Sequence, residues 1–113
     1  MKIVADTITL DEVKRMAADL FGNMVKGVVD VERELLAVDA ELHADLEAGL
    51  VAHGSQVKNL WGINLYPELS GDGFIEFDSM INMRPSQNNR SPHVQDAALR
   101  ARIAGIVLKR ITR

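Results

Sequence analysis

The chain has no cysteine, few aromatic residues and no long apolar run. Without cysteine there is no disulfide framework, no thiolate nucleophile and no Cys-based zinc site. That fits a reducing compartment. Aromatic residues make up 4% of the chain, too few for the stacking platforms that hold single-stranded nucleic acid. No Gly-rich phosphate loop, Ser elbow or paired-His metal helix occurs. The apolar runs end after a few residues, far short of the roughly 20 that a membrane helix needs. The segment Met1–Asp6 lacks the apolar stretch of a signal peptide. These absences lead us to expect a cytoplasmic protein without membrane or nucleic-acid partners.

What is present is ordinary in amount and uneven in placement. The 113 residues, 47% hydrophobic and 26% charged, suit one domain, 1–113, with a genuine core. Residues 1–83 hold six Lys/Arg against fifteen Asp/Glu, whereas residues 84–113 hold seven Lys/Arg against Asp96 alone. In a helix, Arg102, Lys109 and Arg113 fall within an arc of about 40°. We expect this basic stripe to be neutralised by the chain's own acidic part or by another subunit.

Local patterns give the order of elements. Residues 2–5 read as a short strand. Thr9-Leu10-Asp11-Glu12 reads as a capping box, followed by Leu10, Val13, Met16, Ala17, Leu20 and Phe21 at helical spacing up to Gly22. Residues 24–31 and 34–42 are β-rich, and their short link suggests a hairpin, although Glu32-Arg33 is poor primed-turn chemistry. A helix is expected over about 44–52, ended by His53-Gly54-Ser55. Residues 59–66 and 74–83 read as a second hairpin across a Pro/Gly/Ser loop. Trp61, Ile63 and Leu65 face one way, joined by Ile75, Phe77, Ile81 and Met83. Asp96 caps a last helix with Leu99, Ile103, Ile106, Val107 and Ile111 on its apolar side. The expected fold is α+β, an antiparallel-rich sheet built from two hairpins with three helices mainly on one face. The alternation predicts a sheet covered on one side and open on the other.

Three groups of residues carry possible chemistry. Asn64, Glu76, Asp78 and Asn82 share a parity on the second hairpin, with Asp30, Asp39 and Glu41 doing so on the first. Alternate carboxylates stand about 7 Å apart along a strand. Glu76 and Asp78 are thus candidate catalytic residues of a metal-dependent hydrolase, and Glu41, His43, Glu76 and Asp78 are candidate ligands for a hard cation. The other reading of that face is a solvated surface. For Glu41-Leu42-His43-Ala44-Asp45, a helix beginning at Ala44 would turn Asp45 away and leave His43 at the junction. His53 and His93 read as exposed loop residues. The third group is Arg84-Pro85-Ser86-Gln87-Asn88-Asn89-Arg90-Ser91. Two guanidiniums among serines and amides can form an anion nest or a turn that bonds its own backbone. Arg84, Ser86, Gln87, Asn89, Arg90 and Ser91, with Asn64 and Asn82, are the candidate ligand-binding residues.

Trp61-Gly62-Ile63-Asn64-Leu65-Tyr66-Pro67, Glu76-Phe77-Asp78-Ser79-Met80-Ile81-Asn82 and Arg84-Pro85-Ser86-Gln87 followed by Asn89-Arg90-Ser91 resemble a family of short uncharacterised bacterial proteins, a domain of unknown function. The resemblance runs over nearly the whole chain and implies a bacterial stand-alone protein, with no activity or cofactor to transfer. Where that pattern has Gly, this chain has Asn88. Asn is the next-best left-handed residue, so the turn should survive. The expected function is a small binding or regulatory module for an anionic small molecule or a protein partner. The alternatives are the hydrolase and a structural homo-oligomer.

Overall fold

The computed structural model describes all residues, 1–113. A strand β1 (Lys2–Val4) and a two-residue strand β2 (Ile8–Thr9) lead into helix α1 (Leu10–Asp19). Strands β3 (Val25–Asp30) and β4 (Leu35–Val38), helix α2 (His43–Ala52) and strand β5 (Leu60–Leu65) follow. The chain ends with β6 (Ile75–Glu76), α3 (Ala97–Arg110) and β7 (Ile111–Thr112). The main sheet has the order β1-β4-β3-β5-β6 and every pairing in it is antiparallel; β2 and β7 form a small parallel pair. The expected α+β fold, with two hairpins and three helices, is the observed one.

The local signals act as their chemistry requires. Thr9 and Glu12 close the capping box, each side chain accepting from the other's backbone N–H at 3.1 Å. Gly22, just beyond the end of α1, takes φ +91°, which costs a side-chain-free residue little. Asp96 caps α3, its carboxylate accepting from the Ala98 N–H. Asn88 stands at φ +63°, ψ +23°, so the left-handed turn survives without glycine. In the β3–β4 hairpin the turn is made by Asp30. Its Oδ1 accepts from the N–H groups of Glu32 and Arg33 at 2.9 and 3.0 Å, an Asx turn that compensates for Glu32-Arg33.

The sheet separates two apolar clusters. On one face Val25, Val29, Leu36, Val38, Trp61, Ile63 and Leu65 pack with Val13 and Ala17 of α1 and Ile103, Ile106 and Val107 of α3. On the other, Val28, Leu35, Ala37 and Leu60 pack with Leu46 and Leu50 of α2. The helices therefore lie mainly on one face, two against one. The second face is not open as the alternation predicted, because β3 and β4 carry apolar residues on both parities.

The expected strand over 74–83 is corrected: it ends at Glu76. Asp78 keeps a single bridge to His93, and residues 80–82 then turn in a 3₁₀ helix capped by Ser79. The side-chain amide of Asn82 replaces the lost strand. It accepts from the Gly62 N–H at 2.8 Å and donates to the Gly62 C=O at 2.9 Å, the pair of bonds a neighbouring peptide group would make. Gly62 allows this approach, since a Cβ there would collide with the Ser79 side chain.

Candidate functional site

The segment 77–95 is a strap of short turns across the second face. Three polar side chains pin it. Asn82 is fully buried and also donates to the Pro92 C=O at 3.0 Å. Asn89, also buried, donates to the carbonyls of Asn82, Ser91 and His93 and accepts from the Gln95 N–H. Arg84 donates through Nε to the Ile81 C=O at 3.1 Å and through Nη2 to the Leu60 C=O. Its guanidinium lies 3.6 Å from Glu47 and 4.6 Å from the centre of the Trp61 ring. Its Nη1 is buried with no partner. Burial draws the Arg84 pKa below its ordinary value, opposed by the Glu47 charge.

The candidate ligand-binding residues of the loop thus separate into two groups. Arg84, Asn82 and Asn89 spend their polar atoms inside the chain. Gln87 donates to the Lys58 C=O, and the Ser91 hydroxyl both donates to and accepts from the His93 backbone. Ser86 and Arg90 keep exposed side chains. Asn64 donates to Glu76 at 2.7 Å and to the Asp78 C=O at 3.2 Å, while its Oδ1 is buried and unpaired.

The metal candidates do not come together, and no group of three or more His, Asp or Glu able to hold a metal ion is formed. The reason is local. Helix α2 begins at His43, so Glu41, His43 and Asp45 leave the shared face that a strand would have given them. His43 Nε2 lies 2.8 Å from the Ile63 C=O, and burial lowers its pKa, with that carbonyl opposing. Glu76 is engaged by Asn64 and, at 3.4 Å, by the Tyr66 hydroxyl. Burial, followed by the nearby Glu76 charge, raises the Tyr66 pKa.

Asp78 meets a residue that the sequence pattern did not mark. Its Oδ1 lies 3.2 Å from His93 Nδ1, both side chains about half exposed. The pair borders a groove of about 980 Å³ between β6, the 66–74 loop and the outer side of α3. Its apolar walls include Phe74, Ile75, Phe77, Ala104 and Leu108. Arg100 and Arg113 also line it. Arg100 donates to the carbonyls of Val94 and Gln95, and Arg113 lies 4.9 Å from the Phe74 ring centre. A faint signal for this groove exists in the sequence. Arg100, Ala104 and Leu108 recur every four residues on α3, off the face of Ile103 and Val107, and Leu108 is 59% exposed.

Of the expected basic stripe, Lys109 alone is paired with an acid of the chain, while Arg102 and Arg113 form no ion pair and Arg113 lies beyond the end of α3. Lys109 pairs with Glu34 at 2.7 Å, and Arg110 donates to the carbonyls of Glu34 and Asp6. The hydrogen bond from Lys109, with its charge, lowers the Glu34 pKa.

Compared with known families, residues 2–110 match the family described as "Protein of unknown function (DUF5674)". The chain belongs to that family. No curated protein and no solved structure matches it. No helix is long and apolar enough to cross a membrane.

Proposed function

We propose that this chain is a binding module that takes a ligand with an apolar body and an anionic group into the groove between β6 and α3. One observation carries the reading: the groove's charges are unequally partnered. Glu76 is held by Asn64 and Tyr66, and Asp78 by His93. Arg100 and Arg113 have no carboxylate within ion-pair distance. Asp72 is the remaining acid of the lining, exposed in the 71–73 turn. A guanidinium beside an apolar wall favours an anion attached to an apolar body. The volume lies at the upper end of the roughly 300–1,000 Å³ of small-molecule sites. The Arg84–Ser91 loop serves this function by holding the strap from which Asp78 and His93 reach the groove.

The dye anilinonaphthalene sulfonate has the required chemistry. Its fluorescence should rise on binding the native protein, with amide shifts confined to residues 66–77 and 93–113. Ala104→Trp fills the groove from the helix side and should abolish the response without lowering the melting temperature. A dye response that survives Ala104→Trp, or no response from the native protein, removes this reading.

A further inference from the structure

The groove runs beside a sheet edge, and backbone geometry decides which part of that edge is free. The Tyr66 N–H donates to the Phe74 C=O at 2.9 Å, and the β5–β6 register sets Leu65 against Ile75 and Asn64 against Glu76. Backbone polar groups alternate sides along an antiparallel strand. Those of Phe74 and Glu76 therefore point to β5, and those of Ile75 and Phe77 point outward. The outward C=O of Phe77 is taken, accepting from the Val94 N–H at 3.0 Å. No other segment bonds the backbone of Ile75.

The strap accounts for this vacancy. The bridge between Asp78 and His93 is antiparallel, so a strand continuing past His93 would bring Asp96 opposite Ile75. Asp96 instead caps α3, and the chain turns away after one bond. An edge left open beside apolar side chains is a template for another strand; its one charged residue, Glu76, is held by Asn64 and Tyr66. Ile75 and Phe77 are half-buried on the groove side, and Arg100 and Arg113 border the same space without anionic partners.

We propose that an extended acidic peptide segment of a partner protein adds to β6 at Ile75, antiparallel, in line with residues 93–95. Its backbone bonds the free N–H and C=O of Ile75, its apolar side chains enter the groove, and its carboxylate side chains meet Arg100 and Arg113. This rests on the groove reading above and names its ligand class. Strand addition takes affinity from main-chain bonds and selectivity from pockets for alternate side chains, and the arginines supply charge complementarity.

The probe is a short, amidated, fluorescein-labelled peptide of alternating Val and Glu, followed by anisotropy. Saturable binding is expected, weakened about ten-fold or more when Gln replaces Glu, equivalent to about 1.4 kcal/mol or more. It should be lost when alternate backbone nitrogens are methylated. Arg113→Ala, which removes a side chain resting on one ring, should bring the Val-Glu peptide towards the Val-Gln level; Arg100→Ala is a second variant, with circular dichroism confirming its fold. An N-methylated peptide that binds as well as the parent overturns strand addition. A Val-Glu peptide that fails to bind while the dye still fills the groove overturns the peptide class alone. Failure of both overturns the groove reading as well.

Discussion

The two faces of the central sheet are closed by different means. One is covered by α1 and α3 through a cluster of 18 buried apolar residues. The other has a cluster of six under α2 and, beside it, a strap held by buried amides and a guanidinium. Apolar packing is non-directional and tolerates exchange of similar shapes. Polar closure is directional, so each bond requires a particular atom, and a lost partner leaves a desolvated group. The first face therefore holds most of the stability, and the second places Asp78 and His93 at the groove.

Single substitutions sharpen this contrast, beginning with the largest effect. Leu36→Ala, at a fully buried position of the large cluster, should cost about 3 kcal/mol in chemical denaturation. A cost below about 1 kcal/mol would mean that the cluster collapses around the gap and that the first face is not dominant. Asn82→Ala should cost about 2–3 kcal/mol, because it strands the buried Gly62 N–H and leaves Gly62 C=O and Pro92 C=O short of a donor. Amide exchange should accelerate over 77–95 and little in β3, whose partners β4 and β5 remain. Uniform acceleration would show that the strap and the sheet open together.

Gly62→Ala should cost about 2 kcal/mol by pushing Ser79 and Ile81 off β5, with the dye response of the groove weakened. The smallest effect concerns pH. Burial lowers the His43 pKa from its ordinary 6.5, so the folded chain favours the neutral ring, whose Nε2–H donates to Ile63. The unfolded chain binds the proton first as pH falls. The contribution of His43 is complete above about pH 6.5 and is lost as pH falls through the lowered folded value. His43→Gln should flatten this part of the melting-temperature profile. An unchanged slope between pH 5 and 7, about the range in which histidine titrates, would assign the dependence to another group.

The legible parts of the fold are those whose cause lies within a few residues. Thr9 and Glu12 cap α1 wherever α1 packs. Gly22 and Asn88 supply positive φ by their own covalent structure, and the alternation of Trp61, Ile63 and Leu65 follows from pleating. Residues 77–83 misled because Phe77, Ile81 and Met83 keep strand spacing while the chain leaves the sheet. Nothing in that spacing tells a strand from a strap whose Asn82 amide takes over the ladder. Asn82 and Asn89, marked as ligand-binding candidates by their polarity, are buried because their amides satisfy backbone groups brought near by the fold. His93 is exposed, as its loop position predicts; its contact with Asp78 is not legible because the two lie fifteen residues apart.

The sequence by itself determined the α+β class, the β3–β4 hairpin, the three helices with the caps of α1 and α3, and part of the large cluster, namely Val13, Ala17, Trp61, Ile63, Leu65, Ile103, Ile106, Val107 and Ile111. Periodicity and capping act over one or two turns of chain and need no distant partner. The tertiary structure alone decided that α2 covers the second face, that the polar strap closes beside it, and that Arg100 and Arg113 share a groove with Asp78 and His93. Those outcomes depend on desolvation and on hydrogen bonds between residues far apart in the chain, and such bonds exist only once packing has excluded the water that would otherwise take their place.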